Sequence, residues 1–337
     1  MRNPRAAHNF QGRTCSIAGV GHYVPERILT NAELEAMVET TDEWITSRTG
    51  IKERRIAAAN EFTSDLATKA AERAMKMAGI KADQINLIIV ATLTPDMPFP
   101  STACLVQRKI GAMNAAAFDI EAACSGFIYA LEIGMQFITS HTYETVLVIG
   151  AEKLSSIVNW KDRNTCVLFG DGAGAAILQN RPNSHGLLTA VMGSDGNKAD
   201  LLSMPGGGSA CPATLESVAQ GLHYLRMDGK ETFKNAVNAM VSAANEAMRR
   251  CEIDITKIKC VIPHQANQRI ISAVGERLGT TEEQLFINLH KYGNTSAASV
   301  AIALDEAVSS GKISRGDLIL LVVFGAGLTW GAAVIEW

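Results

Sequence analysis

Short, nearly all-apolar runs alternate along this chain with longer segments of helical periodicity. Residues 85–91 and 318–324 have strand length and the near-continuous apolar composition of strands buried on both faces. Residues 63–78 and 230–250 place apolar side chains at helical spacing. The first half predicts strands at 14–21, 85–91, 118–120, 145–150 and 174–178, and a helix from Cys124 to about Ser140. The second half predicts strands at 187–192, 258–262, 286–289, 318–324 and 331–336, and a helix at 296–309. The order of elements repeats, although the residues do not. Two similar halves, 13–183 and 184–337, therefore follow a short flexible tail at 1–12. The alternation predicts an α/β fold with mixed or parallel sheets sandwiched by helices. It places Cys124 and Asn294 at equivalent positions, each after a short strand and at a helix start. Residues 199–228, with Pro205-Gly-Gly-Gly208, form the longest irregular stretch, either a cap over a site or an insertion.

Composition narrows the class. A length of 337 residues exceeds one ordinary core, in agreement with two halves. The chain is 47% hydrophobic and 19% charged, with a net charge of −3, so nothing general favours nucleic acid or an anionic membrane as partner. No apolar run is long enough to span a bilayer, and the basic N-terminus lacks the apolar region of a signal peptide. The seven cysteines are scattered singly, with no Cys-x-x-Cys, which argues against a disulfide framework and a zinc site. A reducing cytoplasm is the simplest setting.

Three short motifs carry chemistry. Cys124 lies in Glu-Ala-Ala-Cys-Ser-Gly-Phe (121–127), where small neighbours permit a tight strand-to-helix turn. A thiol there would feel the positive end of a helix, which favours thiolate, and its N–H could face an oxyanion. A buried, inert cysteine is the competing reading. His264, in Pro-His-Gln-Ala-Asn (263–267), follows an apolar strand, at the end where α/β folds collect ligands. It could equally be a core histidine. Asn294, in Gly-Asn-Thr-Ser-Ala-Ala-Ser (293–299), is either turn chemistry or an amide donor for a developing negative oxygen. Phe324-Gly-Ala-Gly-Leu-Thr-Trp-Gly331 breaks a strand where a second oxyanion N–H, that of Ala326, could be supplied. It is not a dinucleotide fingerprint, and Gly170-Asp-Gly-Ala-Gly174 is no P-loop but reads as a tight hairpin turn.

With Thr41-Asp-Glu-Trp-Ile-Thr-Ser-Arg-Thr-Gly-Ile51 and Phe169-Gly-Asp-Gly-Ala-Gly-Ala175, six motifs stand in one order from about Arg13 to Trp337. The chain thereby resembles the β-ketoacyl-acyl-carrier-protein synthase III family, the initiating condensing enzymes of type II fatty acid synthesis. The resemblance implies a thiolase-like fold, two duplicated halves in a five-layer αβαβα arrangement, and a homodimer. It implies Cys124 as nucleophile, His264 and Asn294 beside it, and an oxyanion hole from the N–H groups of Cys124 and Ala326. Trp44 and Arg163 match residues flanking the adenine of coenzyme A, and Arg48 one near its phosphates. Asn267, Gly229 and Phe233 match substrate-channel positions, and Phe99 the end of the partner's acyl pocket. Arg269, with Lys234 and Arg277, matches the basic patch that receives the acyl carrier protein. Two departures stand out: the loop before Asp228 is longer than in the best-known members, and Glu276 falls where a basic residue is expected.

The implied chemistry transfers a short acyl group from coenzyme A to Cys124. Decarboxylation of malonyl-carrier protein then yields an enolate that attacks the thioester. Coenzyme A thioester is substrate, and no metal, nicotinamide or flavin is called for. The nearest rival is a secondary-metabolic paralogue with the same triad, such as a polyketide starter, alkylquinolone-type or acyl–acyl condensing synthase. A papain-like hydrolase shares Cys, His and Asn in that order but carries another local signature. A non-catalytic carrier-binding scaffold would keep an inert Cys124.

Overall fold

The computed structural model describes residues 15–181 and 186–337. The predicted tail at 1–12 and the division at 183 lie outside the described residues. One sheet runs in the order Cys15–Tyr23, Gly172–Asn180, Thr145–Glu152, Leu87–Ala91, Ala116–Ile120. Leu87–Ala91 is parallel to both its neighbours, and the other two pairings are antiparallel. A second sheet runs Leu187–Ser194, Thr329–Glu336, Leu318–Gly325, Cys260–Pro263, parallel only at its last pair. The two orders correspond strand for strand until the fifth position.

That fifth strand was expected at 286–289 and does not form. The segment keeps one isolated bridge, Val261 to Leu285, and then coils into the short helix Leu289–Tyr292. The cause is Gln265. Its amide donates to the Phe286 carbonyl at 3.2 Å, and its Oε1 accepts from the N–H groups of Asn288 at 3.0 Å and Leu289 at 3.3 Å. A buried side chain thus takes over hydrogen bonds that a ladder would have made.

Helices Gly126–Thr139 and Ser299–Ser309 lie between the sheets. Their apolar residues Phe127, Leu131, Val300 and Leu304 share one core with Ile89 and Val148 of the first sheet and Ile262, Leu321 and Ile335 of the second. Thr63–Ala78 and Thr102–Ile110 cover the outer face of the first sheet, and Gly229–Arg250 and Gln268–Leu278 that of the second. The result is five layers, α–β–α–β–α. Helices Asp42–Thr49, Thr102–Ile110 and Gln268–Leu278 and the hairpin Arg27–Thr30/Glu53–Ile56 were not predicted. Residues 170–174 are not a hairpin turn but the entry to strand Gly172–Asn180. The buried Asp171 carboxylate anchors that entry, accepting from Ala57 N–H at 2.8 Å and from Ser155 N–H and hydroxyl at 2.9 and 2.6 Å. Among the described residues no helix is long and apolar enough to cross a membrane.

The internal repeat is sharpest at the two central helices. Each is preceded by one turn of 3-10 helix, Ala123–Ser125 and Ser296–Ala298. Each turn opens on a non-glycine residue with positive φ, Ala123 at 46° and Ser296 at 48°. In both, the side chain two residues earlier accepts from that residue's N–H at 2.8 Å: Glu121 for Ala123, Asn294 for Ser296. The repeat therefore pairs Asn294 with Glu121, and Cys124 with Ala297, rather than Cys124 with Asn294. Such backbone costs on the order of 1–3 kcal/mol and persists where the surroundings enforce it, commonly at functional sites.

Candidate active site

Cys124 sits at the middle of the first strained turn and is buried. Gly325 allows this placement. A methyl group on Gly325 would stand 2.7 Å from the Cys124 backbone nitrogen, so only glycine lets strand Leu318–Gly325 pass behind the cysteine. Burial pushes the thiol pKa up to about 12, opposed by Ser296 and by the residue's own N–H and reinforced by Glu152 and Glu121. The expected preference for thiolate at a helix start is overridden here. Desolvation of the charged sulfur outweighs the backbone dipoles.

His264 ends strand Cys260–Pro263, and its N–H donates to the Val322 carbonyl at 2.7 Å. Its Nδ1 lies 2.7 Å from the Ser299 hydroxyl, which leaves Nε2 for the cleft. Burial lowers its pKa to about 4, so the imidazole is neutral near pH 7. A neutral ring with Nδ1 accepting from Ser299 carries its proton on Nε2, where it can donate.

Asn294 is held by its backbone. Its N–H donates to the Leu168 carbonyl at 2.8 Å, and its carbonyl accepts from Gly170 N–H at 3.0 Å. Because Oδ1 accepts from Ser296 N–H, the amide cannot turn round, and its NH₂ is the end left to donate. Behind this bridge lies Arg54, fully buried without a carboxylate partner. It donates to the carbonyls of Leu29 at 3.2 Å and Val167 at 2.7 Å and to Asn31 Oδ1 at 2.8 Å, and burial lowers its pKa to about 10.

Cys124, His264 and Asn294 line one cleft of about 150 Å³. Its walls include Phe169, Leu202, Met227, Phe233, Met240 and Phe324, and Gly229 and Asn267 also line it. The irregular stretch before Asp228 contributes through Leu202 and Met227, which pair as a two-residue hairpin. Ala326 itself is one residue beyond the lining, and its carbonyl accepts from Thr329. Asn267 caps helix Gln268–Leu278 and donates to the Arg48 carbonyl at 3.2 Å. Two guanidinium groups lie over the Trp44 ring, Arg48 at 4.9 Å and Arg163 at 5.0 Å from its centroid. Arg269 lies 6.0 Å from the Phe233 ring, Lys234 is exposed beside it in sequence, and Arg277 donates to Asn238 at 2.6 Å. These three bases stand on two adjacent outer helices. Phe99 lies away from the cleft, 84% exposed.

Family profiles described as 3-oxoacyl-[acyl-carrier-protein] synthase III and its C-terminal part match residues 118–196 and 248–337. A β-ketoacyl-[acyl-carrier-protein] synthase III from Caldanaerobacter subterraneus subsp. tengcongensis is 58% identical over 321 residues, covering 95% of this chain and 97% of that protein. The chain belongs to the β-ketoacyl-acyl-carrier-protein synthase III family. Its fold is that family's thiolase-like fold. The crystal structure of 3-oxoacyl-[acyl-carrier-protein] synthase III from Aquifex aeolicus superposes with a TM-score of 0.89 at 49% identity, covering 96% of this chain and all of that one (100%). A priming β-ketosynthase of the R1128 polyketide pathway superposes equally well, TM-score 0.89, at 34% identity, with 99% of this chain and 98% of that one covered. The relative at 58% identity and the structure at 49% are both synthase III proteins, and the chain is a condensing acyltransferase. Four residues of this synthase escaped the sequence reading: Arg54, Glu152, Ser296 and Ser299. The two serines lie in the Asn294 motif, where hydroxyls at a helix start were the available signal. Arg54 and Glu152 have none, since neither is near a quoted cysteine, histidine or asparagine in sequence.

Proposed function

We propose that this chain initiates fatty acid synthesis, condensing a short acyl-CoA with malonyl-acyl-carrier protein through an acyl-Cys124 thioester. The observation that carries the reading is the convergence of Cys124, neutral His264 and an orientation-locked Asn294 on one cleft. Cys124 attacks the acyl thioester, and the N–H groups of Cys124 and Ala326 hold the oxyanion. Coenzyme A leaves with its sulfur, and the acyl group remains on Cys124. Malonyl-carrier protein enters next. As its carboxylate departs as CO₂, charge moves onto the thioester oxygen. His264 Nε2–H and the Asn294 amide donate to that oxygen and so stabilise charge that appears only on the way to the enolate. The enolate carbon attacks the acyl-Cys124 carbonyl, sulfur leaves, and a β-ketoacyl-carrier protein is released. Neither half-reaction requires a metal or redox cofactor.

Coenzyme A is read as entering past Trp44, Arg48 and Arg163, with its pantetheine along Asn267, Gly229 and Phe233. Arg269, Lys234 and Arg277 form the surface for the acidic carrier protein. The exposed Phe99 is read as entering the acyl pocket of a second copy in a homodimer. Seven free thiols suit a reducing cytoplasm.

Intact-protein mass spectrometry tests the core of this reading. Incubation with acetyl-CoA should add an acetyl mass to the wild type and none to Cys124→Ala. Malonyl-carrier protein should then discharge it with release of a β-ketoacyl product. An acyl-enzyme that malonyl-carrier protein leaves intact would reject the carrier-dependent reaction, and absence of any adduct would reject the nucleophile.

A further inference from the structure

Glu152 ends strand Thr145–Glu152 fully buried, and its side chain is bonded, among the described residues, to one short segment. In the parallel register Ala91 faces Gly150, so Glu152 stands level with residue 93, where the neighbouring strand Leu87–Ala91 has already ended. Its Oε2 accepts from the hydroxyls of Thr94 at 2.5 Å and Thr92 at 3.3 Å, and Leu93 N–H lies 3.3 Å from both oxygens. The two hydroxyls are held in this orientation. Thr92 Oγ1 accepts from Thr94 N–H at 3.1 Å, and Thr94 Oγ1 from Lys153 N–H at 2.9 Å, which leaves each hydroxyl proton for Glu152. Three donors thus converge on one side chain, a cradle that suits an acceptor-only carboxylate and mismatches an amide.

The gripped residues are the base of a projecting segment. Beyond Thr94, residues 95–100 form neither helix nor strand, and residues 97–100 are all exposed, Phe99 at 84%. Apolar packing does not hold that tip; polar anchors lower down do. The Thr63 hydroxyl donates to the Thr94 carbonyl at 2.5 Å, and Asp96 accepts from Ser64 N–H at 2.8 Å and from its hydroxyl at 2.6 Å. On the far side Asp119 accepts from the N–H groups of Thr102 and Ala103 at 2.6 and 2.7 Å. The base is also joined to the catalytic turn. Thr92 N–H donates to the Ile120 carbonyl at 3.2 Å, and the strand ending at Ile120 runs on into the turn that carries Cys124. Among these anchors Glu152 is the one that fixes three consecutive residues.

We propose that Glu152 is a positioning residue for Phe99: by fixing residues 92–94 it sets how far Phe99 projects, and with it the length of starter acyl group that a second copy accepts. The proposal rests on the reading that Phe99 enters the acyl pocket of that copy. A ring at the closed end of an apolar pocket limits chain length by the volume it occupies. One methylene more or less in such a pocket is worth roughly 10- to 200-fold in selectivity, so a small displacement of the ring is enough. A tip without packing of its own passes any slack at its base on to the ring.

Three variants test this: Glu152→Gln, which keeps the shape and puts an amide in the cradle; Thr94→Val, which removes one donor; and Phe99→Ala, which removes the ring. Acylation of Cys124 by an equimolar mixture of acetyl-, butyryl- and hexanoyl-CoA is followed by intact-protein mass spectrometry. Glu152→Gln and Thr94→Val should each raise the ratio of hexanoyl- to acetyl-enzyme about tenfold, in the same direction as Phe99→Ala. Adding Glu152→Gln to Phe99→Ala should shift the ratio no further. Lost stability alone would slow all three acyl groups alike. An unchanged ratio in Glu152→Gln and Thr94→Val, beside a shifted one in Phe99→Ala, therefore overturns the proposal and leaves the Phe99 reading standing. A ratio shifted by Glu152→Gln but not by Phe99→Ala also overturns it, since the effect would not pass through the ring. No shift in any variant removes the Phe99 reading and the proposal with it. Amide hydrogen exchange tests the grip without acyl-CoA. In Glu152→Gln, residues 92–100 should exchange about tenfold faster while strand Leu87–Ala91 keeps its protection. Unchanged exchange there would show that the other anchors suffice, and would overturn the proposal by itself.

Discussion

His264 and Cys124 are both disfavoured in their charged forms by burial, with opposite consequences. In the proposed reaction the neutral ring of His264 is the working form, because an N–H donor is needed and a cation is not. Replacing His264 by Ala should leave acyl-Cys124 formation nearly intact and slow decarboxylation by on the order of 10²–10³. Single-turnover kinetics of the two half-reactions would check this, and equal losses in both would remove His264 from the enolate step. The buried acids also mark stability. Glu152 rises from 4.5 to about 7 on folding, so its contribution is whole below pH 4.5 and is lost as pH climbs through 7. His264 falls from 6.5 to about 4, so its contribution is whole above pH 6.5 and is lost as pH drops through 4. Between pH 4.5 and 8, Glu152→Gln should therefore lose about 3 kcal/mol less than the wild type. Urea unfolding at the two pH values measures this, and parallel losses would place Glu152 in a more solvated setting than the structure shows.

At the scale of elements, the site is a meeting of ends: one strand end, two strained turns and one hairpin. Gly325 is the tightest joint. A Gly325→Ala variant should fold, since its strand is otherwise fully paired, yet push Cys124 aside and lower acylation at least tenfold. Thermal melting together with acylation by acetyl-CoA tests this; full acylation would mean that Cys124 can shift freely. Arg54 plays the corresponding role for Asn294. It pins residue 167, and Leu168 and Gly170 bracket Asn294 by hydrogen bonds. Arg54→Ala would strand two buried carbonyls and one amide oxygen, at about 1–3 kcal/mol each. A loss of roughly 3 kcal/mol or more in urea unfolding is expected, and a loss below 1 kcal/mol would mean that water replaces the guanidinium.

For the whole molecule, the predictions concern surfaces. Charge reversal at Arg269 and Lys234 should raise KM for malonyl-carrier protein about tenfold, an effect that shrinks in salt, and leave acylation by acetyl-CoA within about twofold. Equal KM values would move the carrier elsewhere. Phe99 is 84% exposed, an unusual state for so large an apolar side chain. Phe99→Asp should weaken self-association, visible as a lower sedimentation coefficient at micromolar concentration. An unchanged coefficient would reject the proposed homodimer contact at Phe99.

Some of this was decided locally. Strands such as Leu87–Ala91 and Leu318–Gly325 were legible because burial on both faces demands continuous apolar runs. Helix Thr63–Ala78 was legible because its apolar stripe repeats at 3.6 residues. Cys124, His264 and Asn294 were legible as separate motifs, each with a plain structural alternative. What chain order could not carry was anything set by contacts between distant segments. Gln265 cancelled a strand by taking its hydrogen bonds, Arg54 and Asp171 tied loops over a hundred residues apart in sequence, and Glu152 met the Thr92 and Thr94 hydroxyls beyond the end of the neighbouring strand. The same holds for the charge states. A helix start favours thiolate, but the depth at which the fold buries that start decides the pKa, and depth exists only in three dimensions.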